Sequence, residues 1–136
     1  MGKIVAIDFG LKRTGVAITD ASNIIASPLT TVDSIHLMTF LIDLVKKENV
    51  TTIVLGDPKR LNNEATQITE NVYLLKEALQ QQFPSLKIEM VDERFTSKMA
   101  FQSMIDNGMK KKQRQEKGMI DQISAAIILQ SYLAQN

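Results

Sequence analysis

The chain has no cysteine, which excludes disulfides and thiolate metal sites alike. Its one histidine, His36, falls off the apolar series around it and reads as a surface residue, so no histidine-rich metal site can be assembled. A metal held by this chain must sit on carboxylates, which favour hard cations such as Mg²⁺ or Mn²⁺. No apolar run is long enough to span a membrane, and no cleavable leader pattern precedes Lys3. The expectation is a cytoplasmic protein, in keeping with a reducing compartment. A large excess of either charge is also missing, because the net charge is only +1. The imbalance is local. Lys110, Lys111, Lys112, Arg114 and Lys117, set against Glu116, form a basic segment and leave the rest of the chain net negative.

A length of 136 residues, 44% of them hydrophobic, predicts a single domain over 1–136 with a core of its own. The stretch most informative about its layout is Lys3 to Arg13. Ile4, Ala6 and Asp8 point one way and Val5, Ile7 and Phe9 the other, as in a strand buried on both faces at the middle of a sheet. Asp8 ends that strand, beside the core yet at the mouth of the fold. Gly10 lets the chain turn, and Lys12 and Arg13 bring positive charge next to the acid. Turn chemistry alone would also explain an Asp and a Gly there.

Thr14 to Asp20 reads as a second strand and Ile24 to Val32 as a third, with Pro28 marking an edge or a bulge. Asp33 or Ser34 can cap a helix whose apolar residues are Ile35, Met38, Leu41, Ile42 and Val45. Thr51–Gly56 is a short buried strand, and Pro58 opens a polar loop. Glu64 to Gln82 is a second helix, ended by Pro84, and Leu86 to Val91 alternates as the fifth strand. A third helix is expected from about Ser97 to Asn107, and a last one from Glu116 to about Ala134. An antiparallel meander followed by αβ crossovers implies an α/β protein with a mixed five-stranded sheet and helices on both faces. That is the ribonuclease H-like layout.

Such a sheet would draw three acidic positions together: Asp8, the Asp92-Glu93 pair that ends the fifth strand, and Asp121 at the head of the last helix. That helix is apolar around most of its circumference and should be largely buried. Asp121 shares a face with Ser124, Ala125 and Ile128, and the small residues at 124 and 125 permit close approach to another backbone. An acid in a first helical turn is also favoured by the macrodipole alone. Clustered carboxylates repel one another unless a divalent cation neutralises them, and such cations can activate water for phosphodiester hydrolysis. Lys12, Arg13 and Arg94 would steady flanking phosphates. Lys110, Lys111, Lys112 and Arg114 would attract a nucleic-acid backbone, although a charge run can equally be a solvated loop.

Three segments resemble the motifs of the YqgF family, compact relatives of the RuvC Holliday junction resolvase. They are Ile7-Asp8-Phe9-Gly10-Leu11-Lys12-Arg13-Thr14-Gly15-Val16-Ala17, Asp92-Glu93-Arg94-Phe95-Thr96-Ser97, and Asp121 to Gln130. The Gly56-x-Pro58 loop fits as well. The resemblance covers nearly the whole chain. It implies a ribonuclease H-like nuclease that matures the 5′ end of 16S rRNA, with Asp8, Glu93 and Asp121 as catalytic and metal-binding acids for Mg²⁺ or Mn²⁺. Its partners would be structured RNA or a ribosomal particle, and branched DNA if the chain acts as a junction resolvase. The loop after Pro58 departs from the family's Asn-x-Asp-Gly-Thr pattern. Asp57 lies where resolvases carry an acid and rivals Glu93 as second ligand, with Asp92 also adjacent. A non-catalytic RNA- or ribosome-binding assembly factor would use the same fold and basic segment.

Overall fold

The computed structural model describes residues 2–57, 67–92 and 117–135. Glu93, Arg94, the loop after Pro58, the helix expected near 97–107 and the basic residues from Lys110 to Arg114 lie outside them.

Five strands form one sheet: β1 (Lys3–Asp8), β2 (Arg13–Thr19), β3 (Ala26–Asp33), β4 (Val50–Asp57) and β5 (Lys87–Asp92). Their spatial order is β3-β2-β1-β4-β5, so β1 is central, as its two apolar faces require. β1 and β2, then β2 and β3, pair antiparallel. β4 pairs parallel with both β1 and β5. Among the described residues the α-helices are α1 (Leu37–Glu48), α2 (Gln67–Gln82) and α3 (Lys117–Gln135). None of the described helices is long and apolar enough to cross a membrane.

Alternation along the strands divides the core in two. Val5, Ile7, Val16, Ile53 and Leu55 face α1 and α2, where Leu37, Leu41, Leu44, Val72 and Leu79 cover them. Ala6, Ala17, Val54 and Val91 face α3, which lays Ala125, Ala126, Ile128 and Leu129 on them. Alanines in the strands meet alanines in the helix on this second face, so α3 rides close to the sheet. Helices on both faces are thus present as expected.

Two boundaries differ from expectation, each for a local reason. The third strand starts at Ala26, not Ile24. The Asp20 carboxylate accepts hydrogen bonds from the backbone N–H groups of Ile24 (2.8 Å) and Ile25 (3.1 Å), which holds both residues in an exposed turn. The Ile25 and Ile24 amides hold the Asp20 carboxyl below the usual carboxylate range. Pro28 lies on the edge strand, beside a register shift opposite Val16 and Ala17, so edge and bulge occur together.

The first helix begins at Leu37 behind a 3₁₀ turn, Ser34–His36, which shifts the helical phase by less than a turn. Its buried series becomes Leu37, Leu41 and Leu44, with Met38, Ile42 and Val45 packed at the margin. Ile35, expected on the apolar face, is instead 86% exposed. Asp33 makes no capping hydrogen bond from its side chain, and Ser34 turns its hydroxyl elsewhere. Leu41→Ala should therefore destabilise the fold by about 2–5 kcal/mol in urea denaturation, whereas Ile35→Ala should stay within about 0.5 kcal/mol. Equal losses would show that the helix is phased as its sequence periodicity first suggests.

Candidate active site

The site is built around Gly15. In the β1–β2 ladder Asp8 stands opposite Gly15, and the same glycine carries the second turn of α3 on its bare face. A Cβ there would run into the Asp121 carbonyl group and come within 2.9 Å of the Gln122 nitrogen. Helix and strand backbones are in direct contact at this point, which only glycine permits. Asp8 shares a face with Ile4 and Ala6, both packed against the α3 cluster, so its carboxylate is on the α3 side. Asp8 and Asp121, 113 positions apart in sequence, are thereby set on either side of one glycine.

Arg13 completes the cluster. Two residues before Gly15 on the same face of β2, it places Nε 3.4 Å from Asp121 Oδ2. The two side chains are 39% and 26% exposed, so the pair sits at a solvent-reachable mouth rather than in the core. Lys12 is exposed one position earlier, in the turn between Asp8 and Arg13.

The turn itself is clamped. Gly10 has no room for a side chain, because a Cβ would lie 2.5 Å from the Arg13 carbonyl oxygen. Ser34 donates its hydroxyl to the Gly10 carbonyl at 2.6 Å and its backbone N–H to the Lys12 carbonyl at 2.9 Å. Thr14, wholly buried, shares a 2.8 Å hydrogen bond with the same Ser34 hydroxyl. The serine read from sequence as a helix cap is thus the anchor of the β1–β2 turn. Both roles use the same short hydroxyl side chain, and only the tertiary fold selects between them.

Asp57 and Asp92 end neighbouring parallel strands as ladder partners. Each shares a face with the residue two positions before it, Leu55 for Asp57 and Met90 for Asp92, both of which belong to the α1–α2 side of the core. Asp57 is 6% exposed and accepts a 3.0 Å hydrogen bond from the Tyr73 hydroxyl of α2. Its carboxylate is therefore committed to the α2 side of the sheet, across from Asp8 and Asp121. The Asp57 side chain in turn raises the phenol of Tyr73 above its ordinary value of 10.0, first through that hydrogen bond. The native state holds the neutral phenol, so this contribution is complete below pH 10.0 and is lost as pH rises through the raised value. In a Tyr132→Phe background, phenolate absorbance should titrate above 10.0, and Asp57→Asn should return it toward that value. An unaltered titration in Asp57→Asn would remove the carboxylate as the cause.

Of the residues expected at the site, the structure brings together Asp8, Arg13 and Asp121 and sets Lys12 alongside. Glu93, Arg94, Lys110, Lys111, Lys112 and Arg114 lie outside the described residues. Among the described residues, no three acidic or histidine side chains group closely enough to hold a metal ion. The sequence does not reveal the Arg13–Asp121 pair or the Ser34 clamp, since the partners in each lie far apart in the chain.

A mixed sheet of order 3-2-1-4-5, with an acid ending its central strand and a second in the second turn of the helix laid across it, defines a ribonuclease H-like protein. The family model RuvX, described as Holliday junction resolvase, matches residues 2–135, and the chain belongs to that family. It is 53% identical to a protein of Flavobacterium psychrophilum named "Putative pre-16S rRNA nuclease", over 98% of this chain and 97% of the relative. A protein of the same name from Phocaeicola vulgatus is 50% identical over 98% and 96%. Among solved structures, Thermus thermophilus RuvC in complex with a Holliday junction substrate superposes with a TM-score of 0.60 at 11% identity, covering 99% of this chain and 96% of that one. The fowlpox virus Holliday junction resolvase also superposes with a TM-score of 0.60, at 14% identity over 98% and 99%. Those two likenesses show the fold. Family and fold together support a nuclease.

Proposed function

We propose that this chain is a single-domain, metal-dependent endonuclease of the cytoplasm that cleaves structured RNA, the 5′ region of precursor 16S rRNA in particular. The observation that carries the reading is the meeting of Asp8 and Asp121 across Gly15, with Arg13 paired to Asp121. The names of the curated relatives support the RNA substrate, and the family model's description keeps branched DNA as the alternative.

The donor set fits a hard divalent cation: two carboxylates of different elements, fixed by backbone contact, in a chain with no cysteine. Asp8 and Asp121 would hold Mg²⁺ or Mn²⁺ together with Glu93, the third position that the family motif supplies. When bound, such a cation supplies an activated water and a charge that stabilises the leaving oxygen. The chain's own residues do the rest. The β1–β2 turn, locked by Ser34, presents Lys12 and Arg13 to the phosphates beside the scissile bond. Arg94 would add a second grip, and Lys110, Lys111, Lys112 and Arg114 would gather the polyanion from a distance.

The test is incubation of the purified chain with precursor 16S rRNA and with a four-way DNA junction, in Mg²⁺ or Mn²⁺, beside Asp8→Asn. Metal-dependent cutting of the RNA that disappears in the variant is the expected result. Cutting of the junction alone would move the substrate to DNA. Intact RNA held in a salt-sensitive complex under every metal condition would make the chain a binding factor instead.

A further inference from the structure

We propose that Arg13 is a positioning residue that acts through Asp121: an internal counter-cation that occupies this carboxylate until a divalent cation displaces it toward a substrate phosphate. The inference rests on the reading of Asp8 and Asp121 as cation ligands.

The geometry of the pair is that of a contact made to be exchanged. Arg13 meets Asp121 through Nε at 3.4 Å, not through the short, two-pronged grip that arginine gives a committed carboxylate. Both partners are partly exposed, so water screens the attraction and softens the loss when it breaks. The guanidinium cannot be neutralised by losing a proton, so relief of the pairing requires that it move. Only the side chain has to do so. The backbone of Arg13 is fixed in the β2–β3 ladder opposite Asp33, and the preceding carbonyl is held by the Ser34 amide.

Two consequences follow from charge alone. A cation arriving at Asp121 competes with the guanidinium for the same carboxylate and is repelled by it at close range. Once displaced, Arg13 presents its planar fork at the mouth where a phosphodiester would lie. Cation and phosphate then favour one another through a single side chain, and the coupling is reciprocal. An acidic site that carries its own counter-charge is also spared bare carboxylate repulsion while it is empty of metal.

Mn²⁺ titration of the full chain without nucleic acid, read by electron paramagnetic resonance of the free ion, tests this without reference to cleavage. Arg13→Gln should bind Mn²⁺ about three- to tenfold more tightly than the parent chain, the order expected for removing one nearby charge. Arg13→Lys should fall between them, since it keeps the charge but loses the fork. Lys47→Gln, which removes the same charge from the far end of α1, should change affinity less than about twofold, so that net charge is not the cause. Unchanged or weaker binding by Arg13→Gln overturns the inference and makes Arg13 an orienting support for Asp121. Binding by the parent chain that Asp8→Asn leaves intact would instead sink the assignment of the acids as ligands. No Mn²⁺ binding by any form would sink both.

Discussion

Gly15→Ala is expected to be among the most damaging single substitutions in the described chain, costing about 3 kcal/mol or more in stability and abolishing cleavage together with it. The added methyl meets backbone, not a side chain. It collides with the Asp121 carbonyl, and the Gln122 nitrogen is only 2.9 Å away. Neither atom can rotate aside; the whole head of α3 must lift from β2. Lifting it exposes Ala125, Ile128 and Leu129, all fully buried, and moves Asp121 away from Asp8. Gly2→Ala is the control. Its methyl would also crowd a neighbour, but that neighbour is the side chain of Thr51, an exposed residue that can turn away. Urea denaturation and cleavage of the same two variants decide the matter. Wild-type behaviour of Gly15→Ala would mean that helix and strand do not touch there, and the two acids would lose their common support.

How far the sequence reveals this arrangement depends on the range of the interaction that fixes each part. Strand identity was legible because alternation is a local pattern. Val5, Ile7 and Ala6 read as a doubly buried strand, and β1 is indeed central. Asp8 was legible as chemistry because it ends a recognisable strand, and Asp121 because it lies near the start of a recognisable helix, one turn in from Lys117. The glycine that joins them was not, since Gly15 looks like any residue of a hairpin strand until the helix that crosses it is in place. The same limit applies to Ser34. A serine before a helical series is a reasonable cap, and only the fold shows that the Gly10 carbonyl claims its hydroxyl first. Ile35 leaves the buried face for a related reason: a 3₁₀ turn changes the phase by a fraction of a turn, and hydrophobic spacing does not register so small a shift. Asp57 is the most instructive case. Strand position made it a rival ligand, but side-chain alternation from Leu55, together with Tyr73 on α2, puts it on the other face of the sheet.

That division of faces predicts opposite fates for two chemically identical changes. Asp121→Asn should reduce cleavage by about 10³-fold or more, equivalent to roughly 4 kcal/mol of barrier, because a neutral amide holds a divalent cation poorly. Its effect on unfolding should be small, since Asp121 is partly exposed and its Arg13 partner is screened. Asp57→Asn should leave cleavage within about tenfold of the parent. The amide accepts only a weaker, uncharged hydrogen bond from Tyr73, and the position contributes nothing to the α3 side. Its signature should appear in the Tyr73 titration, where Asp121→Asn should have none. Single-turnover cleavage of precursor 16S rRNA with saturating enzyme separates the two variants without interference from product release. If Asp57→Asn is the inactive one and Asp121→Asn is not, the working carboxylates belong on the α2 face, with Asp57 and its ladder partner Asp92 as their centre.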